Sequence, residues 1–147
     1  ATITVQDILD IIIEDNPDFT LTHSGFAGDI STGQTFVYGV RANMMNLAAI
    51  PGAVSARLSS AFTGGNFIAF PGDYTNQGQP NYALLVRGAN ESTILTTATA
   101  IFNKPASNPP NGNLLRGTFP IHYRFRATQD LPRGSQTRTL TVTLKDT

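Results

Sequence analysis

The chain has 147 residues and no cysteine. Disulfide staples, thiol nucleophiles and thiolate metal sites are therefore excluded. Tryptophan is absent as well, and only two histidines occur, His23 and His122. Charged residues make up 14% of the chain, and no basic run stands among them. With a formal net charge of zero, the sequence carries no electrostatic footprint for nucleic acid. No apolar run approaches the ~20 residues of a membrane-spanning helix, so insertion into a bilayer is not expected. The first forty residues lack any lysine or arginine, yet they hold Asp7, Asp10, Glu14, Asp15, Asp18 and Asp29. All ten basic residues follow, against only Asp73, Glu91, Asp130 and Asp146. An acidic start thus precedes a basic body, an asymmetry that bears on what each part touches.

What the chain does have is turn residues and apolar alternation. Thirteen glycines and nine prolines punctuate a sequence with nine phenylalanines and four tyrosines. The alternation is clearest near the C-terminus. Phe119, Ile121, Tyr123, Phe125 and Ala127 alternate with Pro120, His122, Arg124, Arg126 and Thr128. That is the period of a strand with one buried and one wet face. Leu140, Val142 and Leu144 alternate with threonines after the turn residues of 129–135. The two segments are expected to pair as a closing antiparallel hairpin. Further strands are expected over 18–23, 35–43, 53–60, 66–70, 81–87 and 92–102, with loops at 24–34, 71–80 and 103–113. Residues 44–51 suit a helical turn or an irregular crossover.

Eight or nine short strands separated by turns predict an all-β fold, a single two-sheet antiparallel β-sandwich of Ig-like or jelly-roll type. The length suits one domain spanning residues 1–147.

Residues 1–13 admit two readings. Ile3, Val5, Leu9, Ile11 and Ile13 share odd positions and suit an extended strand. Val5, Ile8, Leu9, Ile12 and Ile13 also share one helical face, and Thr4 with Asp7 mimics a capping box. The isoleucines and flanking threonines favour the strand, with a helix over 5–14 as the alternative. Asn16-Pro17 terminates either.

Patterns for chemistry are sparse. His122 sits on the polar face of its strand, and no nucleophile elbow accompanies His23 and Ser24. No catalytic residues, cofactor or bound metal are expected. Glu14, Asp15, Asn16 and Asp18 offer hard oxygens, but without the ligand spacing of a calcium loop. Asn90-Glu91-Ser92 matches a glycosylation acceptor. Tyr74, Tyr82, Phe67 and Phe70 flank the polar loop at 71–80, where aromatic rings serve either the core or a sugar. The small residue at the start, Ala1, is read as the first residue of a mature secreted chain.

An apolar strand as long as residues 1–13 is an aggregation hazard if left exposed, and is useful if it pairs with another subunit. Three stretches carry a family resemblance: Ala1-Thr2-Ile3-Thr4-Val5, the strand Phe36-Val37-Tyr38-Gly39-Val40-Arg41-Ala42-Asn43, and the ending Leu131-Pro132-Arg133-Gly134 followed by Thr139-Leu140-Thr141-Val142-Thr143-Leu144. Together they resemble secreted fibre-forming β-sandwich subunits: pilins joined by donor-strand complementation, spore coat protein U-like subunits, and TasA-type or archaeal bundling-pilus subunits. The ending Lys145-Asp146-Thr147 and the absence of cysteine depart from chaperone–usher pilins and suit self-assembly.

The resemblance implies an extracellular, cell-surface structural subunit whose partners are identical subunits. Ile3, Val5, Leu9, Ile11 and Ile13 would form the donor strand, and Asp7, Asp10 and Glu14 the electrostatic contacts. The alternative is a secreted carbohydrate-binding or adhesin module that contacts surface glycans through the loops at 71–80 and 103–113, or a virion surface protein.

Overall fold

The computed structural model describes residue 2 and residues 9–13, 18–43, 52–104 and 114–145. In chain order the strands are β1 (Leu9–Ile13), β2 (Gln34–Ala42), β3 (Gly52–Leu58), β4 (Gly65–Pro71), β5 (Thr75–Asn76), β6 (Val86–Arg87), β7 (Ser92–Thr93), β8 (Thr99–Lys104), β9 (Leu115–Ala127) and β10 (Leu140–Lys145). Among the described residues there is no helix. Two antiparallel sheets enclose the core. One is ordered β1-β2-β9-β4-β7 with β5 also on β9, and the other β10-β3-β8-β6. The fold is all-β, as the alternation predicts.

β9 organises the larger sheet. One edge pairs with β2 from Leu115 to Tyr123, and the other with β5 and then β4. Beyond β2, residues 28–31 continue the pairing through Gly28, Ala127, Ser31 and Phe125 backbone bonds of 2.8–3.1 Å. Odd positions of β9 are buried along its whole length, while even positions are half-buried or exposed. Phe119, Ile121 and Tyr123 are fully enclosed. Around them, Phe67 stacks on Tyr123 at 5.3 Å between ring centroids, and Phe102 meets Phe119 at 4.4 Å. The Tyr38 and Tyr123 hydroxyls share a 2.6 Å hydrogen bond inside this apolar surround, which satisfies both polar tips.

The structure corrects several sequence expectations. β9 and β10 do not form a hairpin; β10 pairs with β3 in the other sheet. Both edges of β9 are already taken. The connection is instead pinned across the end of the molecule by Leu131 N–H to Gly25 O and by two bonds between Gln136 and Thr63. The expected strand over 92–102 breaks in two, with β7 in the larger sheet and β8 in the smaller. Within β8 the register to β3 shifts between Val54 and Ser55, so that Ile101 and Phe102 are both fully buried.

Over 81–87 only Val86–Arg87 is strand, and the phase is reversed. Ala83 and Leu85 are buried while Val86 is exposed. The Ala83 N–H bond to Leu114 O holds that segment outside a ladder. Residues 18–23 form no strand, although Phe19 and Leu21 pack on the core; their backbone bonds run to Thr32. The loop at 71–80 contains β5. The expected helical turn or crossover at 44–51 and most of the loop at 103–113 lie outside the described residues.

Candidate functional site

The sheet edge at β1 is where the sequence places a partner contact. β1 is extended, so the helical reading of 5–14 is set aside for residues 9–13. Its ladder joins Leu9, Asp10, Ile11, Ile12 and Ile13 to Ala42, Arg41, Val40, Gly39 and Tyr38. Leu9, Ile11 and Ile13 therefore stand at the register positions of Ala42, Val40 and Tyr38, three of the four core residues of β2. Among the described residues β1 ends the strand order, with a ladder on one side only, and lies next to β10, the terminal strand of the other sheet. The pairing in the structure is within one chain. Ile3, Val5, Asp7 and Glu14 lie outside the described residues.

Asp10 is the one expected electrostatic contact that the structure places. It stands opposite Arg41, which stands opposite Arg116 on β9. Gln77 N–H donates to Arg116 O and ends the row. Both arginines are exposed and, with Asn43, Tyr82 and Leu114, line a cleft of about 140 Å³. The sequence pattern did not single out Arg41 or Arg116. Each is an ordinary polar position in an alternating strand, and only the register brings them together.

The aromatic residues around 71–80 do not converge. Phe67 is in the core, and Phe70 lies on the outer face, 6.2 Å from the His122 ring. Tyr74 packs on the core over Gly117, where any Cβ would fall 2.3 Å from its hydroxyl. Burial raises the Tyr74 pKa, and its hydroxyl is enclosed without a hydrogen-bond partner among the described residues. Tyr82 lies so close to Gly78 that a Cβ there would meet its ring at 1.8 Å. A larger cavity, about 250 Å³, opens elsewhere, between Leu58, Phe62 and Phe67 and the 93–97 crossing. Asn66, Thr93, Thr96 and Thr97 supply its polar lining. The hydroxyl-rich stretch Thr93…Thr96-Thr97 was the available signal for this opening, obscured by its reading as one strand.

Both histidines are committed to structural bonds. His23 accepts from Gly25 N–H at Nδ1 (2.8 Å), and its Nε2 donates to Asp29 O (2.7 Å). Ser24 donates to the Asp29 carboxylate at 2.7 Å, not to a histidine. His122 accepts from Arg124 Nε–H at Nε2 (2.9 Å) and bonds Thr35 Oγ1 through Nδ1 (2.6 Å). This fixes a neutral ring protonated at Nδ1. Burial, with the Arg124 charge adding to it, lowers the His122 pKa. Gly33 crosses the ring at a distance that leaves no room for a side chain; a Cβ would lie 2.1 Å from Nε2.

Among the described residues no group of three or more acidic or histidine side chains is placed to hold a metal. Asp18 is exposed, and the rest of the acidic turn at 14–16 lies outside the described residues. Asn90 is exposed beside Glu91, which pairs with Arg126 at 3.6 Å. No protein-family model matches the chain, and no curated protein and no solved structure resembles it at a significant level.

Proposed function

We propose that the chain is a structural subunit of an extracellular filament, joined head to tail by its N-terminal strand. The observation that carries this reading is the place of β1: an apolar edge strand, held by a single ladder, whose odd residues register with the core of β2. Such a strand can leave its own sheet and add to the same edge of a neighbour, where main-chain bonds supply affinity. The identical ladder forms in either case, so exchange between copies costs no contact. Repeated head to tail, the contact is heterologous and open-ended, which makes fibres and not closed rings. The acidic start steers encounter with the basic body through Asp7, Asp10 and Glu14. The donor strand uses Ile3, Val5, Leu9, Ile11 and Ile13. As a finer reading of the fold, the two sheets belong to the Ig-like or jelly-roll class of sandwiches in one domain.

Removal of residues 1–13 tests the reading. The full chain forms fibres visible by electron microscopy. The truncated chain does not, and it binds an added peptide of residues 1–13. Fibres formed normally by the truncated chain would sink the proposal. Raised salt slows subunit addition, because exposed charges are screened over about 8–10 Å. Preformed fibres survive the same salt.

One observation favours a second reading, a glycan-binding module. The cavity near Phe62 and Phe67 combines aromatic walls with Asn66 and three threonines. Monomers that bind a glycan array, with binding lost in Asn66→Ala, would support it.

A further inference from the structure

We propose that the cross-strand arginine pair Arg41–Arg116 reads a single carboxylate, that of Asp10, and so sets the register of the N-terminal strand. The inference deepens the strand-exchange reading and holds equally for a strand paired within its own chain.

Two like charges directly opposite on neighbouring strands destabilise a sheet. Arg41 and Arg116 are such a pair, on the outer face of the larger sheet. A carboxylate next in the row offsets that repulsion, and Asp10 occupies that position. The row across three strands is thus acid, base, base. An arginine also presents a fork of donors that matches a carboxylate.

Apolar matching alone specifies the register poorly here, because Ile8, Leu9, Ile11, Ile12 and Ile13 leave almost every position apolar. A slip by two residues keeps apolar residues at two of the three positions opposite Ala42, Val40 and Tyr38. It then brings Asp7 or Asp15 to the third, and Ile8 or Ile12 opposite Arg41. A slip by one turns the strand over and carries Asp10 to the core-facing row. Only the observed register gives Asp10 to the arginines. The acidic residues thereby exclude wrong pairings, and the arginines reward the right one.

Since the chain has no cysteine, introduced ones report the register without background. Leu9→Cys with Ala42→Cys reports the observed register, and Ile11→Cys with Ala42→Cys the slipped one. Asp10→Lys is expected to lower the in-register cross-linking yield at least several-fold and to raise the slipped yield. Asp10→Glu keeps the in-register yield. The charge-swapped pair Asp10→Arg with Arg41→Asp restores it, an outcome that a packing role for Asp10 would not produce. Arg116→Gln removes the like-charge neighbour and shrinks the penalty of Asp10→Lys.

An unchanged in-register yield in Asp10→Lys overturns the inference, as does failure of the swapped pair to rescue a folded protein. Gel mobility separates this outcome from that of the filament reading. Cross-links confined to single chains at every concentration sink strand exchange but leave the register inference standing. Cross-links between chains that ignore the charge at position 10 do the reverse.

Discussion

β9 and β1 are both apolar strands, and the structure treats them very differently. β9 is paired along both edges and buries every odd residue from Leu115 to Ala127. Among the described residues β1 has a ladder on one side and the end of a sheet on the other. The contrast shows that apolar alternation specifies a face to bury, while the number of ladders decides how much backbone pairing holds a strand in place. Removing β9 dismantles the larger sheet; removing β1 exposes one edge of β2.

The sharpest way to break this contrast is to truncate one apolar residue in each strand. Phe119→Ala, at a fully enclosed position, should cost about 3–5 kcal/mol in a denaturant titration. Ile11→Ala should cost clearly less, and equal losses would erase the distinction between centre and edge.

A smaller effect is expected at the tyrosine pair that links β2 to β9. Tyr38→Phe leaves the Tyr123 hydroxyl buried without its partner, a loss of roughly 1–3 kcal/mol. Adding Tyr123→Phe removes both polar tips and should recover much of that loss. A double mutant that is merely additive would show that the bond is not what couples the strands.

The outer face of the same two strands should respond to pH. His122 is held neutral, with its pKa lowered from 6.5 by burial and by Arg124. A base whose folded pKa is depressed contributes stability that is complete above its unfolded pKa and is lost as pH falls through that range. The wild type should therefore lose more thermal stability than His122→Gln on acidification from about pH 7.5 to about pH 5, a window spanning the ordinary histidine pKa. Parallel pH profiles would mean that the ring titrates freely. The least effect belongs to the half-exposed Glu91–Arg126 pair; Glu91→Ala should change stability by no more than about 0.5 kcal/mol.

Much of the architecture was legible because period-2 patterns carry their own face assignment. β2, β3 and β9 lie where alternation puts them and β4 where the short apolar run does, with Val54, Ala56 and Leu58 buried as their spacing predicts. Pairing was not legible. Nothing in residues 129–135 discloses that the chain crosses to the other sheet, because this depends on β9 having no free edge. Short strands such as β6 and β7 fail for another reason. Two residues carry no period, and bulges such as that at Ile101 place neighbours on one face. At the candidate edge, the odd positions of β1 were readable from their spacing. The Arg41–Arg116 row was not, since a cross-strand neighbour is a property of register and leaves no mark along a single strand.

The crossing between β7 and β8 has a mechanical side. Ile94 N–H donates to Phe67 O in the larger sheet, and the carbonyl of the following residue, Leu95 O, accepts from Leu58 N–H in the smaller. Two consecutive residues thus act as a rivet between the layers. Tension that shears one sheet over the other loads the two bonds in series, so the link holds only while both are intact. In the filament proposed above, a pull along the length would pass from one layer to the other through this link.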